Sequence, residues 1–161
     1  MNARQASLIT LLAHVLLVCG IGGKYALDRA RYPRAWVLAV PVDPDSLTRG
    51  RYVSLQLCPV STQTSNEFPS PVKLRIDRGQ LVADPAARDS RLHTVEVARL
   101  SRACLADPVA FYIPEHAPDP SRLRAGEELW VETSVPTSSM PRPVRLGIKR
   151  DGGPIEPLAL R

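Results

Sequence analysis

From residue 6 to residue 23 the chain reads ASLITLLAHVLLVCGIGG, with no formal charge, close to the roughly 20 apolar residues needed to cross a bilayer core. Beyond Tyr32-Pro33 the pattern changes. Proline lacks an amide donor and clashes with the preceding turn, so a helix should stop there; after it, apolar and polar residues alternate. Val53, Leu55 and Leu57 alternate with Tyr52, Ser54 and Gln56, and Val72, Leu74 and Ile76 with Lys73, Arg75 and Asp77. Leu129, Val131 and Thr133 flank Trp130 and Glu132, and Val144, Leu146 and Ile148 alternate with Arg145, Gly147 and Lys149. A period of two predicts strands that bury one row and wet the other, and such strands favour antiparallel pairing.

The turn chemistry agrees. Asp77-Arg78-Gly79 and Asp151-Gly152-Gly153 each join extended runs at hairpin spacing, the second leading into residues 155–160. Further strands are expected at 36–40, 93–100 and 109–113, a single helical turn at 119–125, and a long mobile loop at 61–71. The expected fold is mainly β: an antiparallel sandwich or barrel-like sheet of about 7–9 short strands preceded by one N-terminal transmembrane helix. The expected organisation is an n-region at 1–5, a transmembrane anchor or signal peptide at 6–23, a basic juxtamembrane helix or linker at 24–34, and a single β domain at 35–161.

Composition narrows the partners. The 161 residues are 44% hydrophobic and 23% charged, a globular balance, and 16 prolines with 9 glycines suit short strands better than helices. The net charge of +5 comes mostly from arginines scattered along the chain, and aromatics amount to only 5%. Neither a basic groove nor a stacking platform for nucleic acid is visible. The expected partner is the lipid bilayer itself, through residues 6–23.

The direction of the helix is contested. Lys24, Arg29, Arg31 and Arg34 follow it while Arg4 and the α-amine precede it, a bias that would hold the domain in the cytoplasm. Against this, a short basic n-region before an apolar stretch ending in small residues is the layout of an export signal. No A-x-A cleavage pattern is present, which favours an uncleaved anchor, and Val18 before Cys19 disfavours a lipoprotein. His14, alone in the span, reads as a tolerated neutral imidazole.

One segment is more specific: Pro41-Val42-Asp43-Pro44-Asp45-Ser46-Leu47-Thr48-Arg49-Gly50-Arg51-Tyr52-Val53-Ser54-Leu55-Gln56-Leu57. It resembles the signature of the GDYXXLXY family, as does the order of hydrophobic helix, basic stretch, apolar strand, P-x-D-P-x-S-L turn and glycine-tyrosine strand. The motif stands here as Gly50, Arg51, Tyr52, Leu55 and Leu57, so Arg51 replaces the family's Asp and Leu57 its last Tyr. Phe111-Tyr112-Ile113-Pro114-Glu115 is similar to the family's later aromatic segment ending in Glu. The family is one of unknown function, exported or membrane-anchored and often encoded beside polytopic membrane proteins. The resemblance therefore implies a bacterial inner-membrane protein with a periplasmic domain and a polytopic membrane partner.

The same residues have a plain physical reading. Pro41 and Pro44 fix φ, Asp43 and Asp45 can cap turn amides, and Gly50 can supply a bulge or positive φ. Pro41, Asp43, Pro44, Ser46, Leu47, Gly50, Tyr52, Leu55, Tyr112 and Glu115 form the candidate interaction set. A ligand pocket near Tyr52, Tyr112, Glu115 and Trp130 is the alternative.

Catalytic patterns are faint. Ser139-Met140-Pro141 with Lys149 resembles the Ser/Lys pair of type I signal peptidases, but in the wrong order. His93 and His116 lie apart, and Glu115 and His116, as strand neighbours, would face opposite ways. No metal, no cofactor and no enzymatic role is expected. Cys58 and Cys104 are the two cysteines outside the hydrophobic stretch; in an exported domain they could pair, and otherwise they are two buried thiols. The expected function is that of a membrane-anchored, non-enzymatic accessory domain.

Overall fold

The structure is a computed structural model that describes residues 3–42, 51–62, 68–97, 102–136 and 139–159. The chain divides into two units, Met1–Tyr32 and Pro33–Arg161.

The first unit is the helix α1, Ala3–Arg31. Helical hydrogen bonding runs eight residues past the expected end of the anchor, through the first basic residues, and stops just before Pro33, where the missing amide forbids continuation. Within it, Ser7–Leu27 has a mean hydropathy of 1.7 and is long and apolar enough to span a membrane, since 21 residues rise about 32 Å. Leu8, Leu11, Leu12, Leu16, Leu17, Val18 and Ile21 are all exposed, an arrangement that water penalises and hydrocarbon favours.

The second unit is mainly β, with eleven strands among the described residues in one large mixed sheet that does not close. They are β1 (Arg34–Val42), β2 (Tyr52–Cys58), β3 (Val60–Ser61), β4 (Ser70–Asp77), β5 (Gln80–Pro85), β6 (Leu92–Val97), β7 (Arg102–Leu105), β8 (Val109–Tyr112), β9 (Glu127–Ser134), β10 (Arg142–Arg150) and β11 (Ile155–Pro157).

Strand β1 is the pivot. It runs antiparallel to β9 from Arg34↔Ser134 to Leu38↔Trp130 and antiparallel to β2 from Leu38↔Cys58 to Val42↔Ser54. Where β2 leaves its edge, β5 takes over in parallel at Trp36↔Gln80, with Trp36 N–H donating to Gly79 O at 2.8 Å. After Pro59 the chain that formed β2 pairs in parallel with β5, Val60↔Val82. One half of the sheet is thus β8-β2-β1-β9-β10-β11 and the other is β4, β5, β6 and β7 with β3. The main core brings Val37, Leu55, Leu57, Leu129, Val131 and Leu146 of the first half together with Val72, Leu81, Ala83 and Leu105 of the second.

Two parallel pairings depart from the antiparallel expectation because β1 exceeds the length of β2 and leaves an unpaired edge that β5 fills. The strand count exceeds the expectation because β3 and β7 are short pieces with little periodicity of their own. The hairpins form as the turn residues predict. Arg78 (φ 47°) and Gly79 (φ 77°) sit between β4 and β5, and Asp151 (φ 46°) and Gly152 (φ 75°) follow β10, the positive φ at both central positions that a type I′ turn needs.

Four local expectations change. Residues 61–71 are not one loop: Ser61 closes β3 and Ser70 opens β4, while 63–67 lie outside the described residues. Residues 119–125 form turns rather than a helical turn, because Asp119 Oδ1 accepts from Ser121 N–H at 2.9 Å and Ser121 Oγ at 2.7 Å, a local bond that competes with helix. The expected strand at 93–100 starts one residue earlier as β6, Leu92–Val97, and 98–100 lie outside the described residues. Finally, β9 buries both rows, Trp130 and Glu132 as well as Leu129, Val131 and Thr133. It lies between β1 and β10, whose side chains cover its second face.

Candidate functional site

The face of β1, β2, β9 and β10 turned away from the main core carries a second cluster. Register places Leu38 between Cys58 of β2 and Trp130 of β9, and these join Cys104, with Trp36, Val40, Val97 and Ile155 packed against them. Cys58 and Cys104 are bonded, S–S 2.01 Å, tying β2 of one half to β7 of the other. The bond settles the alternative of two separate buried thiols: both sulfurs are buried, but in one link.

Trp36 has room because Gly147, diagonally across two strands, carries no side chain. A Cβ at Gly147 would lie 3.0 Å from Trp36 Cζ3, 2.7 Å from Ile155 Cγ2 and 3.1 Å from Glu156 O. No residue with a side chain fits there without a shift. Each indole also carries a cation: the Arg145 guanidinium lies 5.4 Å from the Trp36 ring centroid and the Lys149 ammonium 5.3 Å from that of Trp130, within cation–π range. Trp130 Nε1–H donates to Glu128 Oε2 at 3.1 Å. Arg145 in turn pairs with Glu132, Nε to Oε2 2.7 Å, and Arg34 approaches the same oxygen at 3.8 Å. That buried oxygen has no aligned donor, so the pairing is coulombic rather than a hydrogen bond. These contacts hold both rings in fixed orientations.

Beside the rings lies an open cleft of about 440 Å³, walled by Trp36, Trp130, Phe68 and the disulfide at Cys58, with Gln80, Glu96 and Arg102 also lining it. The size falls within the ordinary range for small-molecule sites. Gln80, Glu96 and Arg102 are exposed, and their side chains make no hydrogen bond or ion pair with other described residues. The cleft therefore offers part of the Trp36 ring and three polar side chains without partners among the described residues, whose formal charges cancel.

The residues nominated from the sequence fall elsewhere. Tyr52 and Tyr112 meet as a cross-strand pair of β2 and β8 with ring centroids 6.0 Å apart and a 48° tilt. Glu115 lies with His116 in the turn after β8, not on a strand, and its carbonyl accepts from Arg51 Nη1. Pro41 and Tyr52 border a smaller hollow of about 290 Å³ with Arg51, Ser54, Ile113 and Asp119. There the bonds from Ser121 hold the Asp119 carboxyl below its ordinary 3.8, with Arg122 and Arg51 adding to the effect. Trp130 does not belong to that hollow but stands with Trp36 in the larger cleft, and Tyr112 and Glu115 line neither, so the expected pocket of Tyr52, Tyr112, Glu115 and Trp130 does not form. Leu55 is fully buried in the main core and presents nothing to a partner. Asp43, Pro44, Ser46, Leu47 and Gly50 lie outside the described residues.

Ser139 and Lys149 form no pair along β10. Arg142 to Lys149 spans roughly 23 Å of extended chain, Ser139 precedes that strand, and Lys149 sits over Trp130. Among the described residues, no three His, Cys, Asp or Glu side chains gather as a metal set. Sequence reasoning missed Trp36, Phe68, Gln80, Glu96 and Arg102 as neighbours. One signal was available: Trp130 occupies the nominally wet row of an alternating strand, and the chain's other tryptophan, Trp36, opens the wholly apolar run 36–40. No protein-family model, curated protein or solved structure matches this chain.

Proposed function

We propose that this chain is a membrane-anchored binding domain with an accessory, non-catalytic role, held by α1 and facing the periplasmic side of a bacterial inner membrane. The observation that carries the binding role is the Trp36–Trp130 cleft, with rings fixed by Arg145 and Lys149 and with three polar side chains uncommitted. Preformed aromatic walls reduce the ordering cost of binding. The Cys58–Cys104 link supports the orientation, because such bonds persist in oxidising compartments and are rare in the bacterial cytosol.

A second reading follows the resemblance to the GDYXXLXY family: docking on a polytopic membrane protein. Tyr112 supports it, being 64% exposed on β8 beside Tyr52. Site-specific photo-crosslinking separates the two. With the full chain in host membranes, a photoreactive residue at Gln80 should give adducts on the binding reading, and one at Tyr112 adducts of discrete mass on the docking reading. Reaction at neither position above that at exposed Arg88 contradicts both.

A further inference from the structure

The Trp36–Trp130 cleft has a chemistry that points to one class of ligand, and the inference rests on reading the cleft as a binding site. We propose that it holds a neutral oligosaccharide segment, with a sugar ring against Trp36 and hydroxyls bonded by Gln80, Glu96 and Arg102.

Three observations select this class. One wall is the half-buried indole of Trp36, with Trp130, 8% exposed, also lining the cleft, and the negative potential of an indole face attracts the weakly positive C–H groups that cover one side of a pyranose. The uncommitted polar groups comprise an amide, a carboxylate and a guanidinium, supplying both donors and acceptors. A sugar ring needs both, since each hydroxyl donates and accepts. The charges of the lining residues Glu96 and Arg102 cancel, and Arg145 over Trp36 is paired with Glu132, so the net charge of the lining favours neither an anion nor a cation.

Competing ligands fit less well. A lipid tail leaves the polar groups of the cleft without partners, which is unfavourable once water is displaced. An extended peptide would add to a strand edge, but at the cleft Trp36 N–H already bonds Gly79 O, and Val60 and Ser61 of β3 already pair with β5. Side chains, rather than backbone edges, are left to make the contacts.

The two tryptophans are the chain's only ones, so intrinsic emission reports on this cleft directly. The full chain in detergent micelles is titrated with chitotetraose, cellotetraose and maltotetraose. A neutral apolar probe, N-phenyl-1-naphthylamine, and a pool of neutral hexapeptides are run in parallel.

The expected result is a saturable emission change with at least one of the sugars. Binding should weaken about tenfold in Trp36→Ala and by a similar factor in the Gln80→Ala/Arg102→Ala double variant, with Tyr112→Ala unchanged. The double variant alters only exposed side chains, which keeps the test valid if Trp36→Ala fails to fold. A cleft that responds to the apolar probe or the peptides, with the same dependence on Gln80 and Arg102, but to no sugar, overturns the saccharide assignment and leaves the binding reading intact. Silence towards every probe overturns both.

Discussion

Gly147 is the residue on which the aromatic face depends. Its missing Cβ leaves the space that Trp36, Ile155 and the Glu156 carbonyl share, and a methyl there must displace backbone as well as two packed side chains. Gly147→Ala should therefore destabilise the domain by about 1–3 kcal/mol, the usual cost of overpacking, read as a lower midpoint in urea denaturation. The same substitution at Gly79 meets open space and costs only the strain of a positive φ, about 1 kcal/mol. Leu55 and Tyr112 make a second contrast. Leu55→Ala should cost about 2–5 kcal/mol because it opens a cavity in the main core, whereas Tyr112→Ala, which trims an exposed ring, should cost under about 1 kcal/mol. Equal losses at the two positions would contradict the assignment of Leu55 to packing and Tyr112 to the surface.

At the level of elements, the link between β2 and β7 and the turns around β9 govern stability. Cys58 and Cys104 lie 46 residues apart, and closing a loop of that length restricts the unfolded chain by about 4 kcal/mol in the entropic account. Reduction with dithiothreitol, or Cys104→Ser, should lower the thermal midpoint clearly. A domain indifferent to reductant would show that the two sheet halves hold without it. The acid limb follows from two carboxyls. Asp119 is held low chiefly by Ser121, and Glu127 by the Arg124 amide first and then Arg150. Both folded values lie below the ordinary 3.8 and 4.5, so their contribution is full above those values and is lost as pH falls through the lowered folded ones. Stability should thus be flat near neutrality and fall below about pH 4. Asp119→Ala should flatten that acid limb, measured by urea denaturation across pH.

Much of this element level was legible in the sequence. Alternation at 53–57, 72–76 and 129–133 marks the main core, and Asp77-Arg78-Gly79 and Asp151-Gly152-Gly153 mark the two turns. What was not legible depends on pairing at a distance. Trp130 and Glu132 occupy the polar row of their strand, and only the placement of β9 between β1 and β10 buries them. The cleft is further from reach, because its walls come from β1, β9, the residues before β4 and the ends of β6 and β7, brought together when β5 takes over the edge of β1. A short parallel contact of that kind leaves no local period.

For the whole molecule, two features bear on where the domain works. The basic residues after the apolar stretch, Lys24, Arg29, Arg31 and Arg34, favour a cytoplasmic domain, while the Cys58–Cys104 link favours an oxidising one. We give the link more weight, since a folded domain can be exported despite moderate flanking charge. The most direct measurement is a pair of fusions after Arg161, one to alkaline phosphatase and one to a fluorescent protein that matures only in the cytoplasm. An anchored periplasmic domain gives active phosphatase, a dark fluorescent fusion, and both products in the membrane fraction after alkaline carbonate extraction with α1 retained. A bright fluorescent fusion with inactive phosphatase, or a product released by carbonate, would contradict it.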